Sequence, residues 1–295
     1  MTIAATQTLP GQAWNELADV ELLETWPPLE RLPGVEVLVA VVATVGEREL
    51  ALLPDVRLVA NYGVGYDTVD VEACRARGVA VTNTPGVLDA AVADLTLALI
   101  LACRRRIVTA DRFVRGGGWR SGWAQPELLG RDLTGSTLGL VGYGRIGTAV
   151  ARRAEAFDMH VVFHRRSAGL PLDELLGKAD VVSLHVPLTD ETRGLVSRER
   201  LALLRDGSTL VNTARGAIVD QDALVEELVA GRISAGLDVF VDEPHVPEPL
   251  LALPNVVLTP HLGSATIETR AAMTRVLVDN VLAFRRGDPL LTPVG

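Results

Sequence analysis

Residues 137–147 constrain the fold of this chain more than any other stretch. An apolar run, Thr137-Leu138-Gly139-Leu140-Val141, enters Gly142-Tyr143-Gly144-Arg145-Ile146-Gly147, and an Ala/Arg-rich segment follows. A second apolar run, Val161-Val162-Phe163, then completes a strand–helix–strand unit. GxGxxG alone is a weak signal, but a strand before it and a helix after it supply the context of a dinucleotide site. Gly142 permits the tight turn, Gly144 lets the backbone approach a pyrophosphate, and Gly147 lets helix and strand pack closely. Free N–H groups and the dipole at the helix start attract the phosphates, so Tyr143, Arg145 and Ile146 count with the glycines as cofactor-binding positions. The competing reading is a glycine-rich turn with no ligand.

The same alternation runs through the whole chain. Short Val-rich runs at Val37–Ala43, Arg57–Asn61, Val79–Asn83, Thr137–Val141, His160–His164, Asp180–His185, Thr209–Asn212, Ser234–Val239 and Val256–Thr259 read as strands. Helical patterns lie between them, notably Ala90–Arg106, Arg145–Phe157, Gln221–Ala230 and Thr266–Arg286. Continuous apolar strands alternating with helices imply parallel sheets covered on both faces. The expected class is α/β, with two doubly wound parallel-sheet lobes. The division expected is residues 1–92 plus 277–295 for one lobe and 93–276 for the other.

Composition agrees and excludes. Only 4% of the 295 residues are aromatic, so the core must be built from Val, Leu, Ala and Ile. A net charge of −9 argues against nucleic acid or an anionic membrane as partner. The longest apolar run, Leu95 to Cys103, is far short of the ~18 residues of a membrane span. Met1 to Gln12 lacks the basic-then-apolar pattern of a secretory signal, so a cytoplasmic protein is expected. Cys74 and Cys103 stand apart and read as small buried hydrophobes. No set of His, Cys and carboxylates has metal-ligand spacing, so no metal is expected.

The second strand of the glycine unit ends in His164-Arg165-Arg166-Ser167. An NAD site usually carries an acid there for the ribose 2′-hydroxyl. Two guanidiniums and a hydroxyl suit a 2′-phosphate instead, so Arg165, Arg166 and Ser167 point to NADPH (NADP+). A solvated basic turn is the alternative.

Three later segments follow strand candidates, where α/β sheets place their sites. They are Asn212–Gly216, Leu237–Phe240 leading to Asp242-Glu243-Pro244, and Thr259–Ser264. Together they bring one Arg, one acid and one His, a set suited to reducing a carbonyl beside a carboxylate. Arg215 would hold the carboxylate and polarise the carbonyl, His261 would donate a proton, and Glu243 would orient the imidazole and favour its charged form. Taken singly, each residue has an ordinary structural reading; their joint placement after successive strands favours chemistry.

These segments, with Asn61–Asp67 and Leu184–Thr189, make the chain resemble the D-2-hydroxyacid dehydrogenases over nearly its whole length. The resemblance implies a Rossmann cofactor domain in the middle, a flavodoxin-like substrate domain from the two ends, and a homodimer. It implies that Arg215, Glu243 and His261 are catalytic and that backbone amides at Val64 and Gly65 bind the substrate carboxylate. It also implies that His185, Val186, Pro187, Thr213, Ala214, Asp238 and Gly263 line the cofactor. Within the family, Val92–Leu95, Arg104–Ile107 with Asp111–Arg115, and Pro289–Pro293 resemble NADPH-preferring glyoxylate/hydroxypyruvate reductases. Asp158 stands where many relatives have Gly, and Asp tolerates the left-handed backbone that position asks for. The expected activity is therefore NADPH-dependent reduction of small 2-oxo acids to D-2-hydroxy acids. The alternatives are the same chemistry on phenylpyruvate or a 2-keto sugar acid, and a nucleotide-sensing scaffold resembling the corepressors of this fold. Trp119 and Trp123 lie in a Gly-rich stretch and read as packing anchors, or as residues reaching a partner subunit's pocket.

Overall fold

A computed structural model describes residues 2–120, 122 and 125–295. The chain folds as two compact units, Met1–Leu88 with Ser264–Gly295, and Asp89–Gly263.

The terminal unit is built on β1 (Thr2–Ala5), β2 (Val20–Leu22), β3 (Val35–Ala40), β4 (Leu58–Asn61) and β5 (Ala80–Thr82). The order is β2-β1-β3-β4-β5, with every pairing parallel. This is the flavodoxin-like order, and the chain switches direction between β1 and β3. Neither β1 nor β2 is among the expected strands. β1 is four residues of Thr, Ile and Ala without a Val-rich signature, and its burial comes from flanking neighbours. β2 is a three-residue, largely exposed edge. β3 also stops at Ala40 rather than Ala43, because Val42 has a positive φ of 48° and leaves the sheet.

The middle unit holds β6 (Thr137–Val141), β7 (His160–Arg165), β8 (Ala168–Gly169), β9 (Val181–Leu184), β10 (Thr209–Asn212), β11 (Ser234–Leu237) and β12 (Val256–Leu258). The order is β12-β11-β10-β9-β6-β7-β8, parallel except for the short antiparallel β8. Here the switch falls between β6 and β9, so a ligand site belongs at their carboxyl ends. The sheet is covered on both faces. One apolar cluster includes Leu175, Leu184, Leu201 and Leu210, the other Leu97, Ile100, Leu138 and Val150.

The expected boundaries at 92/93 and 276/277 fall inside helices, and the structure divides the chain at 88/89 and 263/264 instead. The helix Asp89–Arg104 lies wholly in the middle unit and Ile267–Arg286 wholly in the terminal one. A helix is one rigid rod, and each of these buries its apolar face in a single unit: Met273, Leu277, Val278 and Val281 are all buried. Thr266 caps the second helix, its hydroxyl accepting from Thr269 N–H at 3.1 Å, and Gly287 ends it at φ 73°. The expected helix Ala90–Arg106 stops at Arg104; Arg106 takes φ 53° and a separate helix, Ile107–Arg115, begins. Arg145–Glu155 ends through Asp158 at φ 55°, the left-handed position expected of it. Among the described residues no helix is long and apolar enough to cross a membrane.

Candidate active site

The glycine loop of the middle unit divides its labour as the spacing requires. Gly142 has φ 101°, and a Cβ there would lie 2.4 Å from the His185 carbonyl oxygen, across the switch between β6 and β9. A Cβ at Gly147 would lie 2.3 Å from the Gly142 carbonyl, so only glycine lets the helix start this close. At Gly144 a Cβ would meet nothing within 4 Å, and no side chain caps the helix that begins at Arg145. An open approach to uncapped amides, backed by two tightly packed glycines, fits a dinucleotide pyrophosphate. Tyr143 stacks on Phe163 with ring centroids 4.2 Å apart, and Arg145 pairs with Asp89 at 3.2 Å. Both contacts fix the loop rather than fill its mouth.

The turn after β7 is a tight hairpin in which Arg165 pairs with Ala168 and Arg166-Ser167 form the tip. His164 Nδ1 bonds the Leu170 carbonyl at 2.8 Å and pins its base. Arg165, Arg166 and Ser167 are all exposed. Arg166 is ion-paired with Glu191, so the hairpin presents Arg165 and Ser167 more openly.

At the end of β9, His185 shares a hydrogen bond with the buried Ser183 hydroxyl at 2.9 Å. Burial pushes its imidazole down to about 4, so at neutral pH it is an uncharged wall beside Gly142. Val186 follows, half-buried, and Pro187 is exposed. After β10, Asn212 ties its own loop: its amide donates to the Arg215 carbonyl at 2.9 Å and its oxygen accepts from Ala214 N–H at 3.0 Å. Thr213 meets Thr96 hydroxyl to hydroxyl at 3.0 Å. Gly216 then passes against the chain after β11, where a Cβ would lie 2.1 Å from the Phe240 carbonyl carbon. That close approach brings the Arg215 loop alongside the Phe240–Glu243 segment.

Glu243 accepts from Phe240 N–H at 3.0 Å through Oε1 and meets His261 Nδ1 at 2.7 Å through Oε2. Burial alone would raise the Glu243 carboxyl. The bonds from His261 and Phe240, with the charges of His261 and Arg215, outweigh it and hold the group below its ordinary value. Glu243 is therefore an anion, Nδ1 of His261 is engaged, and Nε2 is the nitrogen left to exchange a proton. Arg215, Glu243 and His261, expected together from sequence, do converge here. Arg215 also donates to the Ala214 carbonyl at 2.8 Å.

His261 itself sits at φ 55°, an uncommon backbone for a non-glycine residue. Asp238 explains how it is held. Its fully buried carboxylate accepts from the Thr259 hydroxyl at 2.6 Å, Leu262 N–H at 2.7 Å and Gly263 N–H at 2.8 Å. Its backbone carbonyl takes His261 N–H at 2.9 Å. Desolvation raises the Asp238 carboxyl against these bonds. The carboxylate is thus committed to the histidine loop, a task the sequence reading did not give it.

In the terminal unit, Asn61 donates to the carbonyls of Gly63 at 3.3 Å and Gly65 at 2.9 Å, and Asn83 donates to that of Val64 at 2.9 Å. With three successive carbonyls held by asparagines, the Val64 and Gly65 amides have no acceptor among the described residues. Such a run of free N–H groups suits an anion. Asn61, Asn83, Asn212 and Gly216 received no role from sequence, although a polar amide at the end of a buried strand needs partners and is a signal in itself. Burial pushes the Cys74 thiol up to about 11 and Cys103 to about 12, which makes both poor nucleophiles. Trp119 is exposed and bonds the Gly122 carbonyl at 2.6 Å; Trp123 lies outside the described residues.

A doubly wound nucleotide fold carrying a histidine–carboxylate pair beside an arginine defines a dehydrogenase class. The model of the D-isomer specific 2-hydroxyacid dehydrogenase NAD-binding domain matches residues 97–263. A glyoxylate reductase of Korarchaeum cryptofilum is 42% identical over 97% of this chain and 93% of its own. A Thermus thermophilus protein of known structure superposes with a TM-score of 0.93 at 47% identity, over the whole of both chains. An NADPH-dependent glyoxylate/hydroxypyruvate reductase of Sinorhizobium meliloti, solved with NADP and malonate, gives 0.89 at 37% identity over 100% of this chain and 96% of its own. The chain belongs to the D-isomer specific 2-hydroxyacid dehydrogenase family, and residues 97–263 are its NAD-binding domain.

Proposed function

We propose that this enzyme reduces small 2-oxo acids, glyoxylate and hydroxypyruvate among them, to D-2-hydroxy acids with NADPH. The observation that carries the reading is the 2.7 Å His261–Glu243 pair beside Arg215, with Nε2 of His261 left for proton transfer. When bound, the cofactor supplies a hydride to the carbonyl carbon. The amides of residues 142–147 hold its pyrophosphate, and Arg165 with Ser167 takes the 2′-phosphate, Arg166 joining when it leaves Glu191. His185, Val186, Pro187, Thr213, Ala214 and Gly263 line the cofactor, while Asp238 acts through the loop it anchors. His261 delivers a proton to the carbonyl oxygen, Glu243 balances the imidazolium, and Arg215 holds the carboxylate. In the terminal unit the Val64 and Gly65 amides are the groups suited to a carboxylate. The glyoxylate reductases among the relatives and the NADP-bound structural neighbour support this choice of substrate and cofactor. A homodimer fits the Ile107–Arg115 helix, none of whose residues is buried and which exposes Ile107 and Val114.

Loss of NADPH absorbance with glyoxylate, hydroxypyruvate and phenylpyruvate in parallel tests the reading. The two small acids should give the higher kcat/KM. His261→Ala should lose about 10²–10⁴-fold in turnover while still binding NADPH. No oxidation with any of the three acids would sink the proposal.

A further inference from the structure

The segment after Pro289 has no task in the chemistry above, yet the terminal unit commits a buried side chain to it. Asn280, in the helix Ile267–Arg286, is fully buried, and its amide makes all four hydrogen bonds open to it. One N–H donates to the Val276 carbonyl at 2.8 Å within the helix, the other to the Thr292 hydroxyl at 2.9 Å. The amide oxygen accepts from Leu291 N–H at 2.9 Å and Thr292 N–H at 3.1 Å. A fully satisfied buried amide is a rigid anchor, so Thr292 is fixed at both its N–H and its hydroxyl.

Thr292 passes that order to Asn83. Its hydroxyl donates to the Asn83 carbonyl at 2.6 Å, and its own carbonyl takes Asn83 N–H at 3.3 Å. The contact continues along the edge strand β5, with an antiparallel bridge between Thr82 and Pro293 and Val294 N–H donating to the Val81 carbonyl at 2.8 Å. Asn83 and Thr84 in turn hold the free-amide loop. The Asn83 side chain donates to the Val64 carbonyl at 2.9 Å, and Thr84 N–H donates to the Gly63 carbonyl at 2.9 Å. In a planar trans peptide the carbonyl and the next residue's N–H share one plane and point in opposite directions. Holding the Gly63 and Val64 carbonyls therefore aims the N–H groups of Val64 and Gly65, which have no acceptor among the described residues.

We propose that Thr292 is a positioning residue for the substrate. Through Asn83 it sets the direction of the Val64 and Gly65 amides, and so the affinity of that loop for a carboxylate. This role rests on the activity proposed above, in which a 2-oxo acid is the substrate. It depends on one hydroxyl that donates to Asn83 while accepting from Asn280. Serine can do both; valine, of similar shape, can do neither.

The test compares wild type, Thr292→Val and Thr292→Ser. The measurements are KM and kcat for glyoxylate, Kd for NADPH, Tm, and the amide resonances of Val64 and Gly65 in isotope-labelled protein. Thr292→Val should raise KM for glyoxylate about fivefold, the worth of one neutral hydrogen bond, with kcat and the NADPH Kd within about twofold of wild type. Its Val64 and Gly65 resonances should shift, and Thr292→Ser should restore both the wild-type KM and the wild-type resonances. A segment that only closes the sheet edge would lower Tm in Thr292→Val and leave KM and both resonances in place, and that result would overturn the positioning role. A KM raised equally in Thr292→Ser would overturn it too. Wild-type protein that reduces no 2-oxo acid would overturn the proposed activity instead. The two resonances then still decide the role of Thr292, which fails if they do not move in Thr292→Val.

Discussion

At His261 and Glu243, two side chains owe their chemistry to each other. The carboxyl is held low although burial opposes it, because the imidazole, the Phe240 amide and the Arg215 charge all favour the anion. The sign of the pH effect follows. A carboxyl lowered in the folded state contributes stability above its unfolded value, and that contribution is lost as pH falls through the folded value. Asp238, raised by desolvation, acts in the opposite sense and gains as pH falls. Glu243→Gln should therefore flatten the acid limb of a Tm–pH curve. In reduction it should cost about 10²-fold in kcat/KM, because the imidazolium loses its counter-charge. A pH–rate profile of the variant matching wild type would show that the pair does not act as a unit.

Loops after strands place the chemistry, and each is fixed by residues that do none. Asn212 and Gly216 hold the Arg215 loop, Asp238 the His261 loop, and Asn61 with Asn83 the Val64–Gly65 loop. Gly216 is the most exacting, since a Cβ would meet the Phe240 and Val241 backbone at 2.1–2.5 Å, where nothing flexible can yield. Gly216→Ala forces the Arg215 loop and the Phe240–Glu243 segment apart. Overpacking costs about 1–3 kcal/mol, so thermal melting should show a Tm lower by roughly 5 °C, with activity falling further than stability alone explains. An active Gly216→Ala with wild-type Tm would mean that this contact does not position Arg215.

For the molecule as a whole, cofactor binding and stability are linked, because a ligand that binds only the folded state raises Tm. At a concentration 100 times its Kd the gain is about 2.7 kcal/mol, enough to rank two cofactors by melting alone. NADPH should raise Tm more than NADH at equal concentration. Arg165→Asp should reverse that order, since charge-assisted bonds to a phosphate are worth about 1.5–3 kcal/mol and an acid there repels it. If the order survives in the variant, the β7–β8 hairpin does not select the cofactor.

The amino-acid sequence by itself determined the α/β class, the glycine loop and the identity of Arg215, Glu243 and His261. These depend on apolar runs, short-range spacing and side-chain chemistry, all local properties. The short strands β1 and β2 were not legible, because four alanine-rich residues or an exposed edge become strands only when neighbours supply the hydrogen bonds. Nor were the helix-bound unit boundaries, which depend on where Leu277 and Val278 find a core. Only the tertiary structure decided that Asp238 anchors the His261 loop, that Gly216 must lack a side chain, and that Val42 takes a positive φ just past the carboxyl end of β3. Each of those facts is a distance between residues far apart in sequence, or a backbone angle imposed by packing, and no local pattern encodes it.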